Sequence, residues 1–228
     1  MPVQSRLLWP LIFGVLGTAV LVSLGVWQTQ RLVWKEGILA DIEARIQAEP
    51  VALPADPDPV SDRYLPVQAD GLITDEEIQV LVSVKLRGAG YRVISAFETE
   101  GRRILVDRGF IGLTDKDAAR PAVMTTVLGN LHWPDEVDSF TPEPDLEAGI
   151  WFARDVPALA KALNTEPVLL IVRETSDGDQ PVSPLPVDTS GIPNDHLEYA
   201  GTWFLLALVW VAMTFFYIRR ARAKTTES

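Results

Sequence analysis

The chain has only two histidines, His132 and His196, and no cysteine. Metal binding through nitrogen or sulfur therefore rests on two imidazoles, and thiol redox chemistry and Cys-ligated zinc or copper are excluded. His196 stands where a polar stretch gives way to an apolar one, in Pro193-Asn194-Asp195-His196-Leu197-Glu198-Tyr199-Ala200-Gly201-Thr202-Trp203-Phe204. Asp195 can cap a helix, and Glu198 follows at the capping-box spacing. His196 then falls in the first helical turn, with Tyr199, Ala200 and Trp203 on its face at i+3, i+4 and i+7. The positive end of the helix dipole disfavours an imidazolium, and neutral imidazole is the form that ligates metals. The pattern allows a one-point attachment for a metal centre at a membrane surface. By position alone, the simpler reading is an interfacial histidine that only caps or hydrogen-bonds.

No second constellation carries chemistry. His132 sits beside Trp133 in a strand pattern and reads as a packed or hydrogen-bonded residue. Asp135, Glu136 and Asp138 follow it in a proline-bearing loop, and one histidine with such carboxylates does not define a metal site. Gly88-Ala89-Gly90 lacks the third glycine and the helix of a dinucleotide fingerprint. There is no nucleophile elbow and no P-loop, and Asp107 and Arg108 read as a structural ion pair. The chain does not read as an enzyme.

Two apolar runs must position His196. Leu7 to Trp27 carries no charge, and its 21 residues would span roughly 31 Å as a helix, enough for a bilayer core. Ser23-Leu24-Gly25 has signal-cleavage spacing, but the run is longer than a usual signal core, and Trp27 suits an interface anchor. Gly201 to Ile218 is uncharged too. Arg219, Arg220, Arg222 and Lys224 follow it, a cluster expected to stay cytoplasmic. The expected layout is a cytoplasmic N-terminus (1–6), a first span (7–27), an outer domain with an N-terminal helical extension (28–198), a second span (199–218) and a basic cytoplasmic tail (219–228). Only six residues precede the first run, so a bacterial inner membrane, with the main domain periplasmic, is expected rather than a mitochondrial import route. Residues 28–198 hold 15 Lys or Arg and 30 Asp or Glu, a formal charge of −15. Such a surface repels nucleic acid and anionic lipid and suits protein binding.

The first helix should continue past the membrane. Ile38, Leu39, Ile42 and Ile46 recur at helical spacing until Pro50. Arg31 and Trp27 suit snorkelling and belt anchoring near the surface. Leu53 to Asp62 reads as an extended proline linker. From Arg63 the period becomes two: strands are expected at Tyr64–Ala69 (ended by Asp70-Gly71), Ile78–Val84, Tyr91–Glu98, Arg102–Phe110, Val123–Trp133 and Val168–Thr175. Glu100-Gly101 should close a hairpin and Gly129 a bulge. Pro134–Gly149 reads as an acidic loop, Pro157–Leu163 as a short helix, and Ser176–Pro193 as a loop. The fold class is two transmembrane helices flanking a mainly antiparallel β domain, barrel-like or sandwich-like, with one short helix.

Three motifs carry a family resemblance. Leu24-Gly25-Val26-Trp27-Gln28 with Arg31-Leu32 and Trp34-Lys35 resembles the N-terminal motif of the Surfeit locus protein 1 family. Gly90-Tyr91-Arg92-Val93 with Leu105-Val106-Asp107-Arg108-Gly109-Phe110 resembles its central motif, with Asp107 where asparagine is common and Phe110 where tryptophan is. The segment from Pro193 to Phe204 resembles its C-terminal motif. The resemblance implies an assembly factor for haem-copper terminal oxidases (aa3-type cytochrome c oxidase). Its implied partners are the oxidase's catalytic subunit and haem a synthase, besides the bilayer. It implies transient binding of haem a, with His196 as axial iron ligand. On this reading Tyr199 and Trp203 pack the macrocycle and Arg31 meets a propionate. The competing class is a membrane scaffold that docks oxidase subunits without binding haem.

Overall fold

A computed structural model of the protein describes residues 3–176 and 182–226. Asp177–Pro181 of the expected 176–193 loop, Met1 and Pro2 at the start, and Glu227 and Ser228 of the expected tail lie outside the described residues. The chain forms two compact units: residues 1–41 with 190–228, and residues 42–189.

The first unit is built on two helices, α1 (Val3–Ile46), whose last turn belongs to the second unit, and α3 (His196–Thr226). Both are long and apolar enough to cross a membrane, with mean hydropathies of 2.0 and 1.8. The 44 residues of α1 extend about 66 Å, twice a bilayer core, so the helix continues well beyond the apolar run. Phe13, Leu16, Leu205 and Phe216 are exposed along these helices, an apolar surface suited to lipid rather than water.

The second unit is a Greek-key barrel. Its strands are β1 (Pro66–Val84), β2 (Gly88–Thr99), β3 (Arg102–Gly112), β4 (Val123–Leu131), the two-residue β5 (Ile150–Trp151) and β6 (Leu169–Thr175). The sheet order is β2-β3-β6-β4-β1, and β1 also pairs with β2, which closes a ring of five strands. All pairings in the ring are antiparallel except β3 with β6. Closure removes the exposed sheet edges that an open five-stranded sheet would carry. Alternation fills both faces: Ile104, Val106, Leu170 and Val172 enter one core, while Leu105, Leu169 and Ile171 pack in another with Val156, Leu159 and Leu163 of α2 (Val156–Leu163). Strands buried on both sides read as continuous apolar runs.

Local chemistry explains the turns. Glu100 and Gly101 both have positive φ, the two-residue hairpin geometry expected from the sequence. The β4–β6 register shifts between Leu128 and Gly129, the expected bulge. Asp155 caps α2 by accepting from Ala158 N. One expectation is corrected. Asp70-Gly71 does not end a strand, because β1 runs through it, pairs with β4 and then β2, and bends at an irregularity between Ile73 and Glu77. A Cβ on Gly71 would sit 2.2 Å from the Glu98 carbonyl oxygen, so this glycine serves a close strand approach, not a turn. The C-terminus of α1 is held within this unit: Ile46 O accepts from Asn130 Nδ2 at 3.0 Å and from Arg173 Nη1 at 3.2 Å. These bonds satisfy a carbonyl that a helix end leaves open.

Candidate functional site

The paired helices of the first unit meet along a seam of small residues. Gly14, Gly25 and Gln28 are the buried positions of α1 there, and Ala200 and Ala207 those of α3. The sequence repeats every seven residues on both sides: Gly14, Leu21 and Gln28; His196, Trp203 and Trp210; Ala200, Ala207 and Thr214. A period of 3.5 keeps such a stripe facing its partner. The glycines admit bulky neighbours, with Trp210 over Gly17 and Phe204 over Gly25, and Trp210 Nε1 donates to Gly14 O at 3.1 Å. The helices run antiparallel, since Gly14 faces Thr214 and Gln28 meets His196.

At the end of this seam a polar pair replaces the apolar contacts. His196 Nδ1 lies 2.7 Å from Gln28 Oε1. His196 is half-buried and Gln28 is 9% exposed. Tyr199 N donates to Asp195 O, so the helical ladder begins at Asp195 and His196 occupies the first turn. Trp203 is half-buried two turns along the same face. Tyr199 is 56% exposed, on the flank. Arg31 is exposed and lays its guanidinium over the Trp34 ring at 4.1 Å. The seam thus brings His196 and Trp203 onto one face and leaves Tyr199 and Arg31 at the surface. Among the described residues no group of three or more His, Cys, Asp or Glu could hold a metal ion. The donor set offered by His196 is a single imidazole with one ring nitrogen bonded inside the protein. That suits a cofactor whose metal already carries its other ligands.

A profile of the SURF1 family matches residues 15–208, which takes in most of α1, the whole barrel and the first part of α3, through Leu208. The chain belongs to the SURF1 family. It is 28% identical to "Surfeit locus protein 1" of Rattus norvegicus over 97% of this chain and 78% of that protein. The corresponding figures are 29%, 81% and 69% for "Surfeit locus protein 1" of Homo sapiens. For the "SURF1-like protein" of Monosiga brevicollis they are 30%, 88% and 84%.

The three SURF1 motifs have distinct structural duties. The N-terminal motif supplies Gly25 and Gln28 to the seam, and the C-terminal one supplies His196 and Trp203. The central motif builds a buried charge cluster in the barrel. Asp107 is fully buried; its Oδ2 accepts from Arg92 Nη1 at 2.7 Å and Arg154 Nη1 at 3.2 Å, and its Oδ1 accepts from Gly109 N at 3.1 Å. The expected Asp107–Arg108 pair is therefore corrected. Neighbours in a strand point to opposite faces. Arg108 instead donates to Ser95 Oγ and lies 3.9 Å from Glu77. It is the extra residue of a bulge, since Asp107 pairs with Ile94 and Gly109 with Val93. Gly109 has φ of +122°, and a Cβ there would meet Ser183 O at 2.1 Å.

His132 belongs to the barrel unit, where its ring stacks on Tyr64 with centroids 5.2 Å apart. Burial, together with the nearby Arg154 and Arg63 guanidiniums, pushes its pKa down to about 4. Its Nδ1 is buried with no hydrogen-bond partner among the described residues. The unfolded chain binds this proton near pH 6.5 and the folded chain only near pH 4. The stabilisation is complete above pH 6.5 and is lost as pH falls to 4, with a limit on the order of 3 kcal/mol. Replacing His132 with Phe keeps the stack and removes the titration. Denaturation of the barrel followed from pH 7 to pH 4 should therefore show a flatter stability profile for H132F; parallel profiles would remove His132 as a source of the acid sensitivity.

Proposed function

We propose that this protein is an assembly factor for a haem-copper terminal oxidase of the aa3 type. It holds haem a at the outer surface of a bacterial inner membrane through His196 and assists its insertion into the oxidase's catalytic subunit. Membership of the SURF1 family supports the assembly role over a catalytic one. The observation that carries the haem reading is His196 itself: a half-buried imidazole at the head of a membrane-length helix, with Nδ1 engaged by Gln28. Haem iron takes its axial ligand from one such ring, and here the haem is cargo. The half-buried Trp203 indole offers an aromatic surface on the same helix face. The basic residues after the second apolar run support cytoplasmic termini, with residues 28–198 outside. Purifying the full chain in detergent from cells that make haem a tests the reading, which requires a Soret band at substoichiometric or higher occupancy. A protein that never carries haem would sink it.

One observation favours a scaffold that docks oxidase subunits without haem. Residues 134–149 hold six carboxylates and no cation, yet expose Phe140 (89%) and Leu146 (77%) on the barrel unit. The Soret measurement separates the two readings.

Arg31 supplies a narrower test. As a fork-shaped donor to a propionate it is not replaceable by lysine. Arg31→Lys should lower haem affinity about tenfold, the loss of one charge-assisted bond worth about 1.5 kcal/mol. Equal haem content in the two proteins would leave Arg31 as an anchor resting on Trp34.

A further inference from the structure

We propose that Gln28 is the positioning residue of the haem site. It fixes His196 as the Nδ1–H tautomer and so makes Nε2 the nitrogen that meets iron. The inference rests on the haem reading above. A neutral imidazole carries one N–H, and the partner of one ring nitrogen decides the state of the other. The carboxamide oxygen of Gln28, an acceptor only, is the atom 2.7 Å from Nδ1. His196 Nδ1–H therefore donates to it, and Nε2 keeps its lone pair.

Two features give the contact its rigidity. Gln28 is buried at a seam position, one turn beyond Gly25, which lies against Phe204. His196 sits at the start of the opposite helix, so the bond links residues 168 positions apart in the chain. Neither partner reaches the other from a loop. The choice of amide over carboxylate also has a physical reason. A metal-bound histidine commonly donates its second N–H to a carbonyl or carboxylate, which raises the ligand's basicity. At the edge of a bilayer a buried carboxylate is costly, whereas an amide oxygen accepts the same bond without a charge. Gln28 thus orients and strengthens the ligand at small cost to insertion.

Gln28→Leu continues the apolar seam at a packing position, so helix pairing survives while the acceptor is lost. Gln28→Glu keeps an acceptor and adds electron density to the ring. The full chain, labelled with ¹⁵N-histidine in detergent and free of haem, should show Nε2 as the unprotonated nitrogen of His196. Q28L should lose that preference, and Q28E should keep it. Titration with ferric protoporphyrin IX should show 10–100-fold weaker binding for Q28L, the usual effect of losing an outer-shell partner. The bound haem of Q28E should have a lower midpoint potential than that of the wild type, because a more basic ligand favours ferric iron. A wild type that takes up haem while holding the proton on Nε2 overturns this inference alone, as do equal affinities and potentials in all three proteins. A wild type with the Nδ1–H tautomer that never takes up haem overturns the haem reading, and this assignment with it.

Discussion

His196→Ala is expected to abolish haem a binding while the helices still insert and the barrel still folds. His132 and His196 are the only histidines, no cysteine competes, and His132 lies within the barrel unit, stacked on Tyr64. Removing a sole axial ligand should cost more than the roughly 10–100-fold that removing an outer-shell partner costs. Alanine has high helix propensity, and Tyr199 N bonds to the backbone of Asp195, so the first turn of α3 does not depend on the imidazole. Gln28 loses its partner and is left buried, a penalty of about 1–3 kcal/mol on the seam. Spectra per mole of protein decide the matter, with His132→Ala as the control that keeps its Soret band. A normal spectrum for H196A would mean that another group holds the haem, and would bring the scaffold reading forward.

What the sequence made legible follows from how local each signal is. The helix start at His196, the hairpin at Glu100-Gly101, the bulge at Gly129 and the two apolar runs are each written within a few residues, and the structure has them where the pattern puts them. Gln28 was visible only as part of a motif, because its meaning lies in a partner 168 residues away. The seven-residue spacing from Gly14 through Leu21 was the available signal: it places a polar residue in an otherwise apolar seam. Asp70-Gly71 misled because a glycine that admits a crossing carbonyl looks the same in sequence as one that makes a turn. Asp107 and Arg108 misled because adjacency suggests a pair that strand geometry forbids. The true partners, Arg92 and Arg154, come from β2 and from the segment before α2. The parallel pairing of β3 with β6 closes the barrel and has no local signature at all.

The second large effect is expected in the barrel, at Asp107. Its carboxylate is fully buried and is shared by two guanidiniums and the Gly109 amide. Charges buried in this way contribute little net stability as a set, but removing one partner strands the others. Arg92 would keep one bond, to Leu185 O, and Arg154 would keep Glu136, so neither cation can leave its place cheaply. Asp107→Ala should therefore destabilise the barrel by about 3–5 kcal/mol, against a total of about 5–15 kcal/mol for a domain. Asp107→Asn is a milder change. It keeps one carbonyl oxygen for the arginines and should cost about 1–2 kcal/mol. Hydrogen exchange of the β3 amides in the full chain reads the opening free energy directly. The double variant with Arg92→Ala should lose less than the sum of the single changes, because each removes the same bond. Additive losses, or a D107A barrel within about 1 kcal/mol of the wild type, would show that the arginines find solvent or other partners. The central motif would then owe its place to the bulge and Gly109 rather than to the buried charge.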